Sequence, residues 1–91
     1  MDISKKQDVF FDQLKLIQEL AVVTALSESK ENSNLGDILY LASYETLYRV
    51  LELIDGYFTN DIKLDLVDKE TGISMRENIE LHDKCVDYLR S

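Results

Sequence analysis

The sequence predicts a predominantly helical α+β domain: an antiparallel helical hairpin, a short β-hairpin and a C-terminal helix, in the order α-α-β-β-α. Three observations carry that expectation. Tyr40, Tyr44, Leu47, Leu51, Ile54 and Phe58 recur at spacings of four and three, which puts them on one stripe of an α-helix. From Ile62 to Leu66 the apolar period drops to two, with Lys63 and Asp65 between, as in a half-buried strand. The 91 residues contain no proline and only three glycines, so long helices meet few breakers.

A first helix is expected from Ser4, where Ser4 and Gln7 match a capping box. Phe10, Leu14, Ile17 and Ala21 form its main stripe, widened by Val9, Leu16, Leu20 and Val23, while Asp12, Lys15 and Glu19 lie on the other side. Between Leu20 and Leu26 it is apolar nearly all round. The polar run Ser27–Asn34 lacks periodicity and reads as the connecting loop. Ser33 or Asn34 can cap a second helix, with Asp37 in its first turn where negative charge suits the dipole. This helix extends from Leu35 to Asp55–Gly56, or one turn further to Phe58, and the rest of the chain is expected to pack around it.

A short connection favours an antiparallel pair, which brings Leu20–Leu26 beside Ile38–Ala42. Both segments are apolar on nearly every side, and two helices cover only one face of each. The remainder calls for the C-terminal third of the chain or for a second copy of it. After Thr59–Asn60–Asp61, the alternating residues Ile62–Leu66, the turn Asp68–Gly72 and Ile73–Met75 suggest a β-hairpin docked on the helices or on another chain. Ser74 and Glu77 form a second capping-box pattern, opening a third helix to about Arg90. Met75, Ile79, His82, Val86 and Leu89 share its stripe, beside Leu81, Cys85 and Tyr88.

Residues 1–91 are expected to form one small domain. Ten Lys and Arg against eighteen Asp and Glu give a formal net charge of −8. The acids are spread along the chain, which disfavours nucleic acid and anionic membranes as partners and leaves a basic protein partner open. One cysteine allows no internal disulfide, the first residues lack a leader pattern, and the longest apolar run is the five residues Ile38–Ala42. A cytoplasmic location is the resulting expectation.

Catalytic parts are scarce. His82 and Cys85 lie one helical turn apart, but the chain has no second His or Cys to complete a usual metal site, and one turn of helix rarely gives attack geometry. Both sit on or beside an apolar stripe, so packing is the expected role. Acids between Asp61 and Glu70 superficially suggest a calcium loop, yet Lys63 and Val67 occupy ligand positions. There is no glycine-rich phosphate loop and no nucleophile elbow. No enzyme activity, cofactor or metal is therefore expected.

The remaining feature is a ladder of tyrosines. Tyr40, Tyr44 and Tyr48, with Leu41, are the candidate interface, since tyrosine supplies large contact area at low entropic cost. The expected function is a non-catalytic acidic interaction module, self-associating as a homodimer or bound to a protein partner. Its size, acidity and lack of enzyme motifs resemble those of bacterial immunity proteins and phage-encoded inhibitors, which implies neutralisation of a basic partner. The alternative is a small-ligand binder or weak enzyme, with a pocket between helices two and three lined by Tyr44, Tyr48, His82 and Cys85.

Overall fold

A computed structural model describes residues 3–31 and 33–89. Among these, three helices form: α1 over Ser4–Glu28, α2 over Leu35–Ile54 and α3 over Leu81–Leu89. No strand or sheet is present among the described residues, so the fold is helical and the expected α+β class with its β-hairpin is overturned.

Helix α1 begins at Ser4, but Ser4 is its first helical residue and not its cap; the cap position falls to Ile3, which has no polar side-chain atom to offer. The start of α2 matches expectation closely. Asn34 accepts the Asp37 N–H at 2.9 Å, and Asp37 accepts the Asn34 N–H at 3.3 Å, a reciprocal capping box. Its end is equally well defined. Gly56 takes φ +95°, its N–H bonds to Leu53 O, and the Tyr57 N–H reaches Glu52 O. This pair of bonds is a Schellman closure, which glycine permits because it has no Cβ to clash in the left-handed region.

The two long helices run antiparallel, with Arg49 of α2 bonded to Thr24 of α1 at 3.2 Å. Ile17, Ala21 and Ala25 are the buried residues of α1, two alanines allowing close approach. Ile17 joins Leu53 and Ile62 in the buried cluster, with Val9, Phe10, Leu14, Val50, Phe58 and Leu64 packed around it. Helix α3 also runs antiparallel to α2. Its last described residue receives the Tyr40 hydroxyl at 2.6 Å (Leu89 O), while its start meets Asp55 at the far end of α2. Helix α2 is thus the shared neighbour, with α1 on one side and α3 on another.

That arrangement corrects the single stripe read along α2. Leu53 is buried, Tyr40 and Leu47 are 57% and 49% exposed, and only Tyr44 of the stripe is fully buried. A helix with two neighbours buries two seams. Val50 and Leu53 face the main cluster, and Tyr44 and Tyr48 form the other seam, so one averaged stripe lies between them.

Residues 57–80 form an irregular strap across the end of the helices. Ile62 is buried and Leu64 half-buried, with Lys63 and Asp65 outward, so the alternation is real. It reports an extended segment lying on helices, with no strand beside it. Around Asp68–Gly72 the chain does reverse: Gly72 (φ +74°) donates to Asp68 O, and the Thr71 hydroxyl donates to Asp68 Oδ2. Only one antiparallel bridge follows, between Val67 and Ser74. The return arm ends there because residues 74–79 turn twice in succession, through Glu77 N–H to Ser74 O and Ile79 N–H to Arg76 O.

The same turns delay α3, which starts at Leu81 and not at Ser74. The Ser74 hydroxyl donates to Asp65 Oδ1 and accepts the Arg76 N–H, so no capping box with Glu77 forms. Asn78 then takes φ +65°, which no α-helix sustains. The described chain spans 50 × 28 × 19 Å with a radius of gyration of 15.2 Å. A compact chain of this length would have about 12 Å, so the helical hairpin sets an elongated shape.

Candidate functional site

The densest polar contacts converge on Asp55, the C-cap residue of α2. An acid there opposes the helix dipole, whose C-terminal end is already negative. Its side chain is nevertheless only 1% exposed, and three contacts explain why. Oδ2 accepts the backbone N–H of His82 at 3.0 Å and lies 2.7 Å from His82 Nδ1. Oδ1 lies 3.1 Å from Arg76 Nε. Asp55 thus satisfies an otherwise unpaired N–H in the first turn of α3, where a negative charge is favoured. Arg76 ties the strap to the same point, donating to Leu64 O and, at 3.5 Å, to Asp55 O.

His82 is buried between two aromatic edges, with ring centroids 4.8 Å from Tyr57 and 5.5 Å from Tyr48. Its Nε2 faces Glu80 Oε2 at 3.5 Å and Asp83 Oδ1 at 3.6 Å, and Glu80 is held from the other side by the Tyr57 hydroxyl at 2.6 Å. Burial alone would lower the His82 pKa, but the Asp55 hydrogen bond and charge, with Asp83 and Glu52 beyond, raise it above the ordinary value of 6.5. For Asp55 burial pushes upward, and the His82 and Leu81 hydrogen bonds with the His82 charge bring it below 3.8. Cys85 is buried, its Sγ donating to His82 O at 3.1 Å, and burial with the charges of Asp55 and Asp83 raises its pKa. A thiol held protonated is a poor nucleophile, and it points at a carbonyl and not at the imidazole.

The tyrosine ladder lies largely along the seam with α3. Tyr44 is 7% exposed, with its ring 5.9 Å from that of Tyr48. Tyr48 is half-buried, edge-on to His82, and Leu41 is half-buried. Tyr40 is exposed along its ring, with its hydroxyl bound to Leu89 O. Side chains of Tyr44, Tyr48, His82 and Cys85 therefore pack against their neighbours where a pocket was the alternative expectation.

A second feature sits at the loop end of the hairpin. Val22, Val23 and Leu26 of α1 and Leu35 and Leu39 of α2 are 48%, 64%, 58%, 69% and 60% exposed. Earlier turns of α1 present Asp8, Asp12, Lys15 and Glu19 to solvent, so the outer face changes from charged to aliphatic along one helix. The segments expected to need a third layer receive one only in part. Helix α3 reaches Tyr40, and the outer face of α1 stays bare.

Sequence reasoning picked out Leu20–Leu26 and the His82 neighbourhood but missed Asp55 and Arg76. The available signal was the acid in the last turn of a helix, a local conflict with the dipole. No helix among the described residues is long and apolar enough to cross a membrane. Comparison with protein-family models, with curated proteins and with solved structures finds no match to this chain.

Proposed function

We propose that this protein is a non-catalytic interaction module that self-associates through the loop end of its helical hairpin. The observation that carries the reading is the exposure of Val22, Val23, Leu26, Leu35 and Leu39 at one end of an elongated molecule. Together they present on the order of 500 Å² of aliphatic surface, near the upper end for the largest patch on a monomer. A standard interface takes about 800 Å² per partner, so this patch supplies most of an apolar interface core. The occupant is a second copy. The five aliphatic side chains carry no charge of their own and gain by leaving water, although Glu28, Lys30, Glu31 and Asp37 are exposed at the same end. Tyr40, one residue from Leu39, is also exposed at this end of α2.

Sedimentation equilibrium tests the reading. The intact chain should be a dimer at micromolar concentration, and Leu39→Lys or Val23→Lys should be a monomer with unchanged helical circular dichroism. An intact chain that stays monomeric across the accessible range, or charge variants that dimerise as well as the parent, would overturn it.

A basic protein partner is the second reading, supported by Glu80, Asp83 and Asp87 outnumbering Lys84 in one open groove along α3. Capture of such a partner at low salt, lost at high salt, would support it. Recovery of the protein alone under both conditions would count against it.

A further inference from the structure

We propose that the groove between the first turns of α1 and residues 62–64 of the strap binds a free medium-chain fatty acid. Its tail lies along the groove and its carboxylate meets Lys6 and Lys63. The inference is independent of self-association, which uses the opposite end of α1.

The groove follows from the fold. Ile3, Gln7 and Phe10 share one face of α1, at spacings of four and three. The strap lays Ile62 and Leu64 beside that face and leaves an open cleft of about 280 Å³. Its floor is firm, because Ile62 belongs to the buried cluster and Phe10 and Leu64 pack against it. Ile3 is exposed and forms an apolar wall. Apolar side chains held open by the main core make a preformed site for a hydrocarbon.

The rim decides which hydrocarbon. In a chain with eighteen acids against ten bases, both charged side chains lining this groove are lysines. Neither Lys6 nor Lys63 makes an ion pair among the described residues. Asp61 and Asp65 flank Lys63 along the chain but do not line the groove, and Asp65 is engaged by the Ser74 hydroxyl and the Leu66 N–H. The start of α1 adds positive potential, since Ile3 gives no side-chain cap and the first turn contains no acid. Lysine stems can run along apolar surface while their ammonium groups stay in water, where they meet a carboxylate.

An uncharged hydrocarbon would leave the lysines unused, and a small anion would leave the groove wet. An anion with one apolar chain uses both. At roughly 30 Å³ per methylene, similar to a water's share of liquid, the cleft holds a chain of about eight to ten carbons. A phospholipid, with two longer chains, exceeds that volume.

The test titrates the isotope-labelled full chain with sodium decanoate below its micelle-forming concentration, followed by amide resonances. Saturable binding of one equivalent is expected, with shifts concentrated at residues 3–10 and 62–64. Sodium acetate should not bind, and decyltrimethylammonium, with the same chain and the opposite charge, should bind at least about tenfold more weakly. Lys6→Gln and Lys63→Gln, both at exposed side chains, should keep the helical circular dichroism and each weaken decanoate about threefold. Absence of saturable binding, equal affinity for the two amphiphiles, or unchanged affinity in both variants would overturn the assignment. So would shifts centred on Val22–Leu39, which would mean unselective uptake by the aliphatic end. Concentration-dependent shifts of residues 3–10 and 62–64 without ligand would give the groove to a second copy and overturn it equally.

Discussion

The carboxylate of Asp55 receives both the main-chain N–H and the ring nitrogen of His82, so the end of α2 and the start of α3 are joined through one buried side chain. Residues twenty-seven apart are thereby fixed in a helical domain with few long-range contacts. Arg76 adds the strap to the same junction. Replacing Asp55 with Ala removes the acceptor and leaves the His82 N–H, its imidazole and the Arg76 guanidinium short of a partner. The expected loss is about 3 kcal/mol, at the low end for breaking a buried pair because Arg76 is about one third exposed. Urea denaturation followed by circular dichroism reads it, and a midpoint unchanged within error would contradict the role given to Asp55.

The same junction gives stability a defined pH profile. His82 titrates above 6.5 when folded, so its contribution is complete below 6.5 and is lost as pH rises through the folded value. Asp55 titrates below 3.8 when folded, so its contribution is complete above 3.8 and is lost as pH falls through that lower value. The groups facing the imidazole are Asp55, Glu80, Asp83, Glu52, Tyr48 and Tyr57, with Arg76 opposing through Asp55. Acids dominate that set, which is why the shift is upward. Thermal melts should therefore be highest between about pH 4 and 6.5 and decline on either side. His82→Gln should flatten the alkaline decline, and a decline of the same size in that variant would assign it to another group.

Gly56 is the other part of this corner with a clear backbone requirement. Its φ of +95° is unfavourable for an L side chain, yet nothing lies within 4 Å of where a Cβ would stand. Gly56→Ala should thus cost only backbone strain, about 1 kcal/mol, without a packing change. A melt shifted down by a few degrees with unaltered near-ultraviolet signal would match. A loss several times larger would mean that the corner is more crowded than the contacts show.

The helices were legible because their evidence is local. The Asn34–Asp37 cap and the Asp55–Gly56 end are short-range patterns whose bonds form within the same few residues. The strap was not, because period-two alternation records an extended chain with one covered face and is silent on what covers it. Ile62 and Leu64 found helices, where the sequence suggested a partner strand. Ser74 shows the same limit. Its pattern with Glu77 is that of a helix start, but Asp65, nine residues away, takes its hydroxyl, and a nonlocal partner leaves no trace in local spacing. The segment Leu20–Leu26, apolar on nearly all sides, lies between these cases: excess surface was readable, its location at the bare outer end of α1 was not.

The tyrosine ladder can be divided by mutation, because its rings occupy different surroundings. Tyr44 is 7% exposed in the seam between α2 and α3, so Tyr44→Ala removes a packed ring and should cost about 3 kcal/mol or more. Tyr40 is 57% exposed and holds α3 through one exposed hydroxyl contact, so Tyr40→Ala should cost about 1 kcal/mol or less. Self-association should respond in the reverse order. Tyr40→Ala removes surface from the end proposed to meet a second copy and should weaken the dimer while the fold persists. Any effect of Tyr44→Ala on assembly should track its loss of helix. Chemical denaturation alongside sedimentation of both variants separates the two roles, and a Tyr44→Ala chain that stays fully folded yet cannot dimerise would place that ring at the interface instead of in the seam.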